Sequence, residues 1–421
     1  MARAAAWLLF LFAFTVPWEY SLDFGEPLGN VARVASVLLL AVLALTVLLR
    51  GGLKRPGMVL WLTGALYLYF IASYFWTVDA AATLEKARAY LQVMAVVWLA
   101  WEAVETPAEL RGVMRALVAG CGVLAALTVM NYASNPVLSA GQAVAQTRFM
   151  AGGFDPNDVA RFLDFGFPLG MLLFTTEERW WMRLLGLGYL PLGLMAVLLT
   201  ASRGGFVGAL VALLGSAMLL VLWRPRGASL VIVGLALTAV VLWLFVPVAS
   251  VERLATIPSE VTGGSLNARA SLWTAGWRAF ARAPWFGFGA GSFATAAGLP
   301  QADTAHNTLI AVLVMGGVFG GLIFTAILAA VAWCVARTRG LLRMALGGVL
   351  AVWAVTSMVG SVEENRMTWL LFGVMALAGR LAAEDAAGLQ RVFAGRRAEG
   401  PGAGEEGSVD VFGGLAADRL R

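Results

Sequence analysis

The chain has 421 residues, of which 60% are hydrophobic and only 13% charged, and its mean hydropathy is +0.80. Soluble domains carry about 25% charged residues, so this composition excludes a soluble globular protein and predicts an all-α integral membrane protein. The formal net charge of +5 is attributed to cytoplasmic loops and not to a nucleic-acid-binding patch.

Twelve apolar runs are candidates for membrane-spanning helices. They are predicted at residues 5–18, 31–49, 58–76, 87–101, 111–130, 159–175, 183–200, 203–223, 228–247, 307–335, 341–359 and 367–383. Residues 1–383 are therefore predicted to form one polytopic membrane domain, and residues 384–421 a flexible cytoplasmic tail. Cys121 and Cys334 both lie within apolar runs, so neither a disulfide framework nor a zinc site is predicted.

The positions of Lys and Arg predict the orientation, because positively charged loops stay on the cytoplasmic side. With the N-terminus inside, the short inner loops carry twelve of the 30 basic residues: Arg50, Lys54, Arg55, Arg111, Arg115, Arg179, Arg183, Arg224, Arg226, Arg337, Arg339 and Arg343. The first outer loop is acidic, with Glu19, Asp23 and Glu26. Both termini are thus predicted to be cytoplasmic, and residues 248–306 form one long extracytoplasmic loop.

Six arginines fall on the outer side against this rule and are candidates for function: Arg148, Arg161, Arg203, Arg269, Arg278 and Arg282. Within the long loop, residues 266–281 have a helical apolar period and are predicted to form an amphipathic helix along the membrane surface. Arg203 stands at the outer end of a span, and a guanidinium offers planar, permanently charged donors suited to a diphosphate. The alternative is that these arginines only snorkel or contact ordinary lipid headgroups.

His306 is the only histidine in the chain, so any imidazole chemistry must occur there. It is a candidate general base or hydrogen-bond donor, and a structural role at a helix start is the alternative. Asp303 or Thr304 is expected to cap the helix that follows. A single histidine without cysteine ligands argues against zinc, and no metal or other cofactor is predicted.

Residues 152–158 have the composition of a turn. Asn157 or Asp158 is expected to cap the next helix, while the alternatives are contacts with a sugar hydroxyl or pairing of Asp155 or Asp158 with Arg148 or Arg161. Asp164 is expected to pair with Arg161 inside the span. Glycine pairs at i, i+4 are expected to allow close helix packing; they are Gly204 with Gly208, Gly316 with Gly320 and Gly317 with Gly321.

Four groups of residues then occur in order along residues 152–324. They are Gly153-Phe154…Pro156-Asn157-Asp158-Val159-Ala160, Thr200-Ala201-Ser202-Arg203-Gly204-Gly205-Phe206, Asn267-Ala268-Arg269…Leu272-Trp273…Pro284…Gly287-Phe288-Gly289…Gly291-Ser292-Phe293, and Ala305-His306-Asn307-Thr308-Leu309…Gly316-Gly317…Gly320. Together they resemble the bacterial O-antigen ligase and O-antigen polymerase superfamily.

The resemblance implies a metal-independent, inverting membrane glycosyltransferase of the inner membrane whose active site faces the periplasm. Its donor would be a glycan on undecaprenyl diphosphate, and its acceptor lipid A-core, as in lipopolysaccharide biosynthesis. Arg203 and Arg269 would bind the diphosphate, and His306 would assist the acceptor hydroxyl or the leaving group. Arg278 and Arg282 are further candidates for the diphosphate, and Asn157, Asp158, Asn307 and Glu363 for sugar or acceptor contacts.

One position departs from the family pattern. Many relatives have a glutamate near the middle of the helix that follows the histidine, where this chain has Val314-Met315-Gly316; Glu363 or Glu364 is the candidate replacement. Other activities stay open at this stage: an O-antigen polymerase, a protein O-oligosaccharyltransferase, and, from a different class, a transporter of an anionic solute.

Overall fold

The computed structural model describes residues 1–26, 28–134, 148–223, 240, 246, 248–262, 269–300 and 304–394. These residues form helices joined by short loops and include no β-sheet. The helices are α1 (Ala2–Thr15), α2 (Val31–Arg50), α3 (Met58–Ala72), α4 (Ala80–Ala103), α5 (Pro107–Ala133), α6 (Pro156–Thr176), α7 (Trp180–Leu199), α8 (Arg203–Trp223), α9 (Val248–Ala255), α10 (Ile257–Thr262), α11 (Arg269–Arg282), α12 (Phe293–Ala297), α13 (Thr308–Arg337), α14 (Gly340–Ser357), α15 (Arg366–Glu384) and α16 (Ala386–Phe393).

Nine of the described helices are long and apolar enough to cross a membrane. They are α2, α3 with its 3-10 extension Ser73–Phe75, α5, α6, α7, α8, α13, α14 and α15. Predicted spans 5–18 and 87–101 correspond to α1 and α4, which are helical but do not meet both criteria. Predicted span 228–247 lies almost wholly outside the described residues.

Helix α6 is at the centre of the bundle. Of its most apolar window, 94% is buried, against 22% for the peripheral α2. Close packing around α6 depends on glycine: a Cβ on Gly205 would overlap Ala160, and one on Gly208 would overlap Asp164. The predicted packing role of Gly204 and Gly208 is confirmed, because a Cβ on Gly204 would also come within 2.7 Å of Val359.

Helix α13 is broken at Gly317, whose φ of 60° and ψ of −160° are not helical. The backbone amides of Phe288 and Gly289 donate to the carbonyls of Val314 and Met315, at 3.0 and 2.9 Å, while Val318 donates to Pro284 at 2.7 Å. A break inside an apolar helix would otherwise leave these groups unsatisfied. The 284–289 loop therefore supplies hydrogen-bond partners to the backbone groups at the break, and we call this loop the backbone plug.

Ion pairs between segments join residues of the same predicted side. Arg50 pairs with Glu102 at the predicted inner end, whereas Lys86 pairs with Glu364 and Arg366 with Glu19 at the outer end. The segments thus sort into two ends as the charge bias predicts, while the cytoplasmic identity of the inner end stays a prediction. The predicted tail begins with the packed helix α16, in which Leu389 and Phe393 are buried.

Candidate functional site

The turn between α7 and α8 holds Arg203 at the first position of a helix. Ala201 has a positive φ of 47°, which reverses the chain after α7. The Ser202 hydroxyl then accepts from the Gly205 amide at 3.1 Å and donates to the side-chain oxygen of Asn157 at 2.8 Å. Because the first turn of α8 is fixed in this way, the direction of the Arg203 side chain is set by the backbone.

Arg203 also contacts the long outer segment. Its Nη2 donates to the Thr256 hydroxyl at 2.6 Å, and its Nε lies 3.4 Å from the carbonyl oxygen of Arg253. In return, Arg253 Nε donates to the Ala201 carbonyl at 3.1 Å. These contacts of the two arginines tie α9 to the start of α8.

Four guanidinium groups of the outer segments lie within electrostatic reach of one another. We call them the arginine cluster: Arg148, Arg203, Arg253 and Arg269. Burial lowers the pKa of Arg148, and the positive charges of Arg253, Arg269 and Arg203 lower it further.

Burial also lowers the pKa of Arg269; Asp155 opposes this shift and Arg203 adds to it. Like charges held together in a partly buried place repel one another, and an anion bound among them would relieve that repulsion. Arg203 and Arg269 were predicted as a pair. Arg148 was noted only for its outer position, and Arg253 was not singled out.

A contact of Trp273 links helix α11, which begins at Arg269, to the residue before His306. The Trp273 indole donates to the carbonyl oxygen of Ala305 at 3.0 Å, and Trp273 follows Arg269 by four residues on the same face of α11. Gly276 on that helix packs so closely on Ile310 that a Cβ would approach it to 2.6 Å. Helix α11 thus brings Arg269 next to the residues that open α13.

The loop after α14 packs against both motifs. Asn307 Nδ2 donates to the Met358 carbonyl at 3.1 Å, and the Thr308 hydroxyl donates to the Gly360 carbonyl at 2.9 Å. Between these two carbonyls lies Val359, the residue against which Gly204 at the start of α8 packs. The N-terminal ends of α8 and α13 therefore meet at this loop, and helix N-termini carry partial positive charge that favours anions.

Glu363 is a buried carboxyl group in this loop. Its residue is 3% exposed, and Oε2 has no hydrogen-bond partner among the described residues. Burial raises the pKa of Glu363 to about 8, with the neighbouring Glu364 charge adding to the shift and a hydrogen bond with Thr308 opposing it. Glu363 directly follows Val362, whose amide donates to the Thr308 hydroxyl at 2.9 Å, and its carboxyl is largely neutral near pH 7.

The helix caps differ from those predicted. Asp155, not Asn157 or Asp158, caps α6 by accepting from the Asn157 amide at 2.7 Å. Asn157 instead accepts from Arg148 Nη2 at 2.8 Å. Asn307, not Thr304, caps α13 by accepting from the Ile310 amide at 3.1 Å, and Asp303 lies outside the described residues.

Asp164 does not form the predicted pair. Arg161 pairs with Asp158, one turn nearer the helix start, which is an alternative that the sequence also allowed. Both carboxylate oxygens of Asp164 lack a hydrogen-bond partner among the described residues, and the residue is 0% exposed. The physical reason is that Arg161 extends toward Gly360 and the outer end, where it meets the carboxylate of Asp158.

Arg278 and Arg282 are not brought to the arginine cluster by any contact in the described part of the chain. Arg278 is exposed and follows Arg269 by nine residues, which corresponds to roughly two and a half turns and so to the opposite face of α11. Arg282 donates to the Ala296 carbonyl and lies 5.4 Å from the Phe288 ring. These contacts do not test their predicted role with the diphosphate, and the diphosphate site proposed below does not include them.

Within the described ranges, no group of three or more His, Cys, Asp or Glu side chains is placed to hold a metal ion. Cys121 and Cys334 are not bonded to each other. Metal independence itself stays a prediction.

The segment that contains most of this geometry is similar to a known protein family. Residues 188–325 match the family model described as O-antigen ligase. The resemblance to the O-antigen ligase and polymerase superfamily, whose members are membrane glycosyltransferase-like enzymes, is thereby confirmed. A comparison with curated proteins gives no match.

The matched segment contains Arg203, Arg253, Arg269, His306 and the Gly317 break. The remaining contributors to the site, including Arg148, Asn157 and Glu363, lie outside it. The chain's own packing, and not the match, brings these residues to the site.

Proposed function

We propose that this protein transfers a glycan from an undecaprenyl diphosphate carrier to an acceptor hydroxyl at the outer face of the inner membrane, with lipid A-core as the acceptor. The observation that carries the proposal is the arginine cluster, in which four guanidinium groups of the outer segments, including Arg203 at the start of α8 and Arg269 at the start of α11, interact electrostatically. A diphosphate between two lipophilic groups is the anion that such a place at the membrane surface suits.

Arg203 and Arg269 bind the diphosphate in this proposal, and Arg148 and Arg253 add to the positive field. As the anomeric carbon–oxygen bond breaks, negative charge grows on the departing diphosphate. Preorganised donors stabilise that charge, and loss of one such donor typically costs about 3 kcal/mol in the transition state. The acceptor oxygen forms its bond from the opposite face of the anomeric carbon, which inverts the configuration.

His306 accepts the proton of the acceptor hydroxyl. The neutral imidazole is the form that a base requires. Glu363 takes the place of the glutamate absent at Val314-Met315-Gly316, as a mostly protonated carboxyl that hydrogen-bonds the incoming sugar or acceptor. Asn157, Asp158 and Asn307 stay candidates for sugar contacts, although their side chains already contact Ser202, Arg161 and Met358.

A polymerase or a protein O-oligosaccharyltransferase differs from a ligase in the acceptor alone. A deletion strain separates these activities. Loss of a ligase leaves unmodified lipid A-core while lipid-linked polymer accumulates, loss of a polymerase leaves core that carries a single repeat, and loss of a protein-modifying enzyme leaves lipopolysaccharide unchanged.

An anionic-solute transporter is the alternative from another class. Transporters use broken helices to expose backbone groups to their substrate, and α13 is broken at Gly317. The 284–289 loop occupies that break with its own backbone, so the freed groups of α13 are satisfied within the protein. This favours an enzyme.

The direct test is turnover by the purified full-length protein of undecaprenyl-diphosphate-linked glycan with lipid A-core, in detergent and without any ion gradient. We expect product from the wild type and at least a hundred-fold slower transfer by Arg203→Ala and Arg269→Ala. Arg278→Ala, on the opposite face of α11, is the matched control and should stay within about twofold of wild type. Normal transfer by both cluster variants would end the proposal.

A further inference from the structure

A cavity lies at the end of the protein opposite the arginine cluster. A groove of about 710 Å³ opens between α3, α13 and α15, a size in the range of small-ligand sites. Its lining residues on α13 lie between Ala326 and Arg337, and those on α15 between Ala376 and Glu384, so both sets are at the C-terminal ends of their helices. His306, in contrast, precedes the first residue of α13. The groove therefore faces the leaflet opposite the proposed transfer site.

The groove is apolar along its length because small residues follow one face of each helix. Ala326, Ala329 and Ala330 lie on α13, and Ala376 and Gly379 on α15. The two helices approach closely behind it, since a Cβ on Gly379 would come within 2.6 Å of Cys334. An apolar trough open to hydrocarbon suits an acyl chain.

The polar end of the groove holds a buried cation. The Arg380 side chain is only 9% exposed and lies 4.5 Å from the Trp101 ring. Its terminal nitrogens donate to the carbonyls of Trp101 and Val104. Arg380 is one of the lining residues of the groove, and its buried Nε has no hydrogen-bond partner among the described residues. The nearest carboxylate, Glu384, is 3.6 Å from Nε and 61% exposed.

A second cation stands at the rim. Arg337 ends α13, lines the groove and is exposed. It has no ion-pair partner within 4.0 Å in the part of the chain that the structure describes. Basic groups beside a groove between spanning helices are the arrangement that recognises anionic lipid headgroups.

We propose that this groove binds one anionic glycerophospholipid, with an acyl chain along the Ala-lined faces and its phosphate between Arg337 and Arg380. A diacyl lipid suits both halves of the groove. A soluble phosphate would use only its polar end, and a zwitterionic lipid would bring a second cation against the two arginines. This site is independent of the glycan-transfer proposal.

The test is native mass spectrometry of the full-length protein in mild detergent, titrated with phosphatidylglycerol or phosphatidylcholine of identical acyl chains. We expect phosphatidylglycerol to be retained about five-fold better, the ratio that one well-placed basic residue confers. Ala329→Trp, which fills an exposed position of the groove, should abolish the retained lipid, and sn-glycerol 1-phosphate at equal concentration should not displace it.

The matched pair of variants is Arg337→Gln and Arg339→Gln, since both residues are exposed at the same helix end and only Arg337 lines the groove. Arg337→Gln should bring the ratio of the two lipids close to one, and Arg339→Gln should leave it unchanged. Equal retention of both lipids by the wild type, an equal effect of the two variants, or displacement by glycerol phosphate would overturn the proposal. None of these results depends on glycan transfer.

Discussion

Ala201 and His306 share an uncommon backbone conformation. Among the non-glycine residues that the structure describes, they are the two with positive φ, at 47° and 45°. Such residues cost on the order of 1–3 kcal/mol each and persist where the surrounding contacts enforce them, often at functional sites. Here one precedes Arg203 by two residues and the other is the lone imidazole, so both strained positions belong to the candidate site.

The conformation of His306 permits a variant that separates backbone from chemistry. Asparagine tolerates positive φ better than most residues, so His306→Asn should insert and unfold at nearly the wild-type temperature. It should still lose at least ten-fold in glycan transfer, because its amide cannot accept the acceptor's proton. The measurement is transfer rate beside thermal unfolding in detergent; a stable variant with wild-type rate would remove the imidazole from the mechanism.

Glu363 predicts a pH dependence of stability. Its pKa is raised from 4.5 to about 8 in the folded protein, so the folded state holds the proton more tightly than the unfolded state. This tighter proton binding stabilises the folded state fully below about pH 4.5, and the stabilisation is lost as pH rises toward 8. Its size is about 1.4 kcal/mol per unit of difference between the folded and the unfolded pKa of Glu363.

Glu363→Gln removes this titration. Unfolding of the variant and the wild type, measured from pH 5 to pH 9, should show the variant gaining relative stability as pH rises, with a plateau above about pH 8. Parallel curves over the whole range would show that the Glu363 carboxyl is not held neutral by burial.

At the residue scale, sequence identified groups by type but not their partners. Arg203, Arg269 and His306 stood out because an outer arginine opposes the charge rule and a single histidine is unique. Arg253 lies in the same predicted outer loop, but its proximity to Ala201 depends on how α9 folds back onto α8 and was not predicted. Capping was misassigned for a related reason: several polar residues precede α6, and only the backbone geometry decides which one reaches the first free amide.

The helices themselves were largely predictable, and the break in α13 was not. Apolar runs of about twenty residues form spanning helices whatever their neighbours. At Gly317, by contrast, an apolar helix departs from helical geometry because a loop about thirty residues earlier supplies its hydrogen bonds. A run of glycines was read as a packing surface, and for Gly316 and Gly320 it is one, against Tyr69 and Phe70.

The break can be tested with a pair of glycine variants. Gly317→Ala places a Cβ against the Trp285 carbonyl at a positive φ, so we expect it to destabilise the protein by on the order of 1–3 kcal/mol. Gly347→Ala, in the regular helix α14 with open space around it, should be neutral or stabilising. Thermal unfolding in detergent compares them, and equal stability of the two variants would contradict a structural role for the plug.

The whole molecule is organised as two charged ends joined by apolar helices. Basic loops and their carboxylate partners gather at one end, and the arginine cluster with Glu363 lies at the other. The two ends differ in task under the proposals above: one binds an anionic lipid of its own leaflet, and the other acts on a lipid-linked glycan.

Orientation can be measured with single cysteines in a variant lacking Cys121 and Cys334. Glu26→Cys and Gly52→Cys place exposed thiols at the two ends. In intact spheroplasts a membrane-impermeant maleimide should label Glu26→Cys alone, and after lysis it should label both. Labelling of Gly52→Cys before lysis would invert the predicted topology and move the arginine cluster to the cytoplasm.

The central claim is that the arginine cluster binds a lipid-linked diphosphate. Its most direct measurement is calorimetric titration of the full-length protein in detergent with farnesyl diphosphate, using farnesol as the uncharged control. We predict saturable binding of the diphosphate alone, weakened at least ten-fold by Arg203→Ala and less than two-fold by Arg278→Ala. Equal losses in the two variants, or binding of farnesol as tight as that of its diphosphate, would contradict the account.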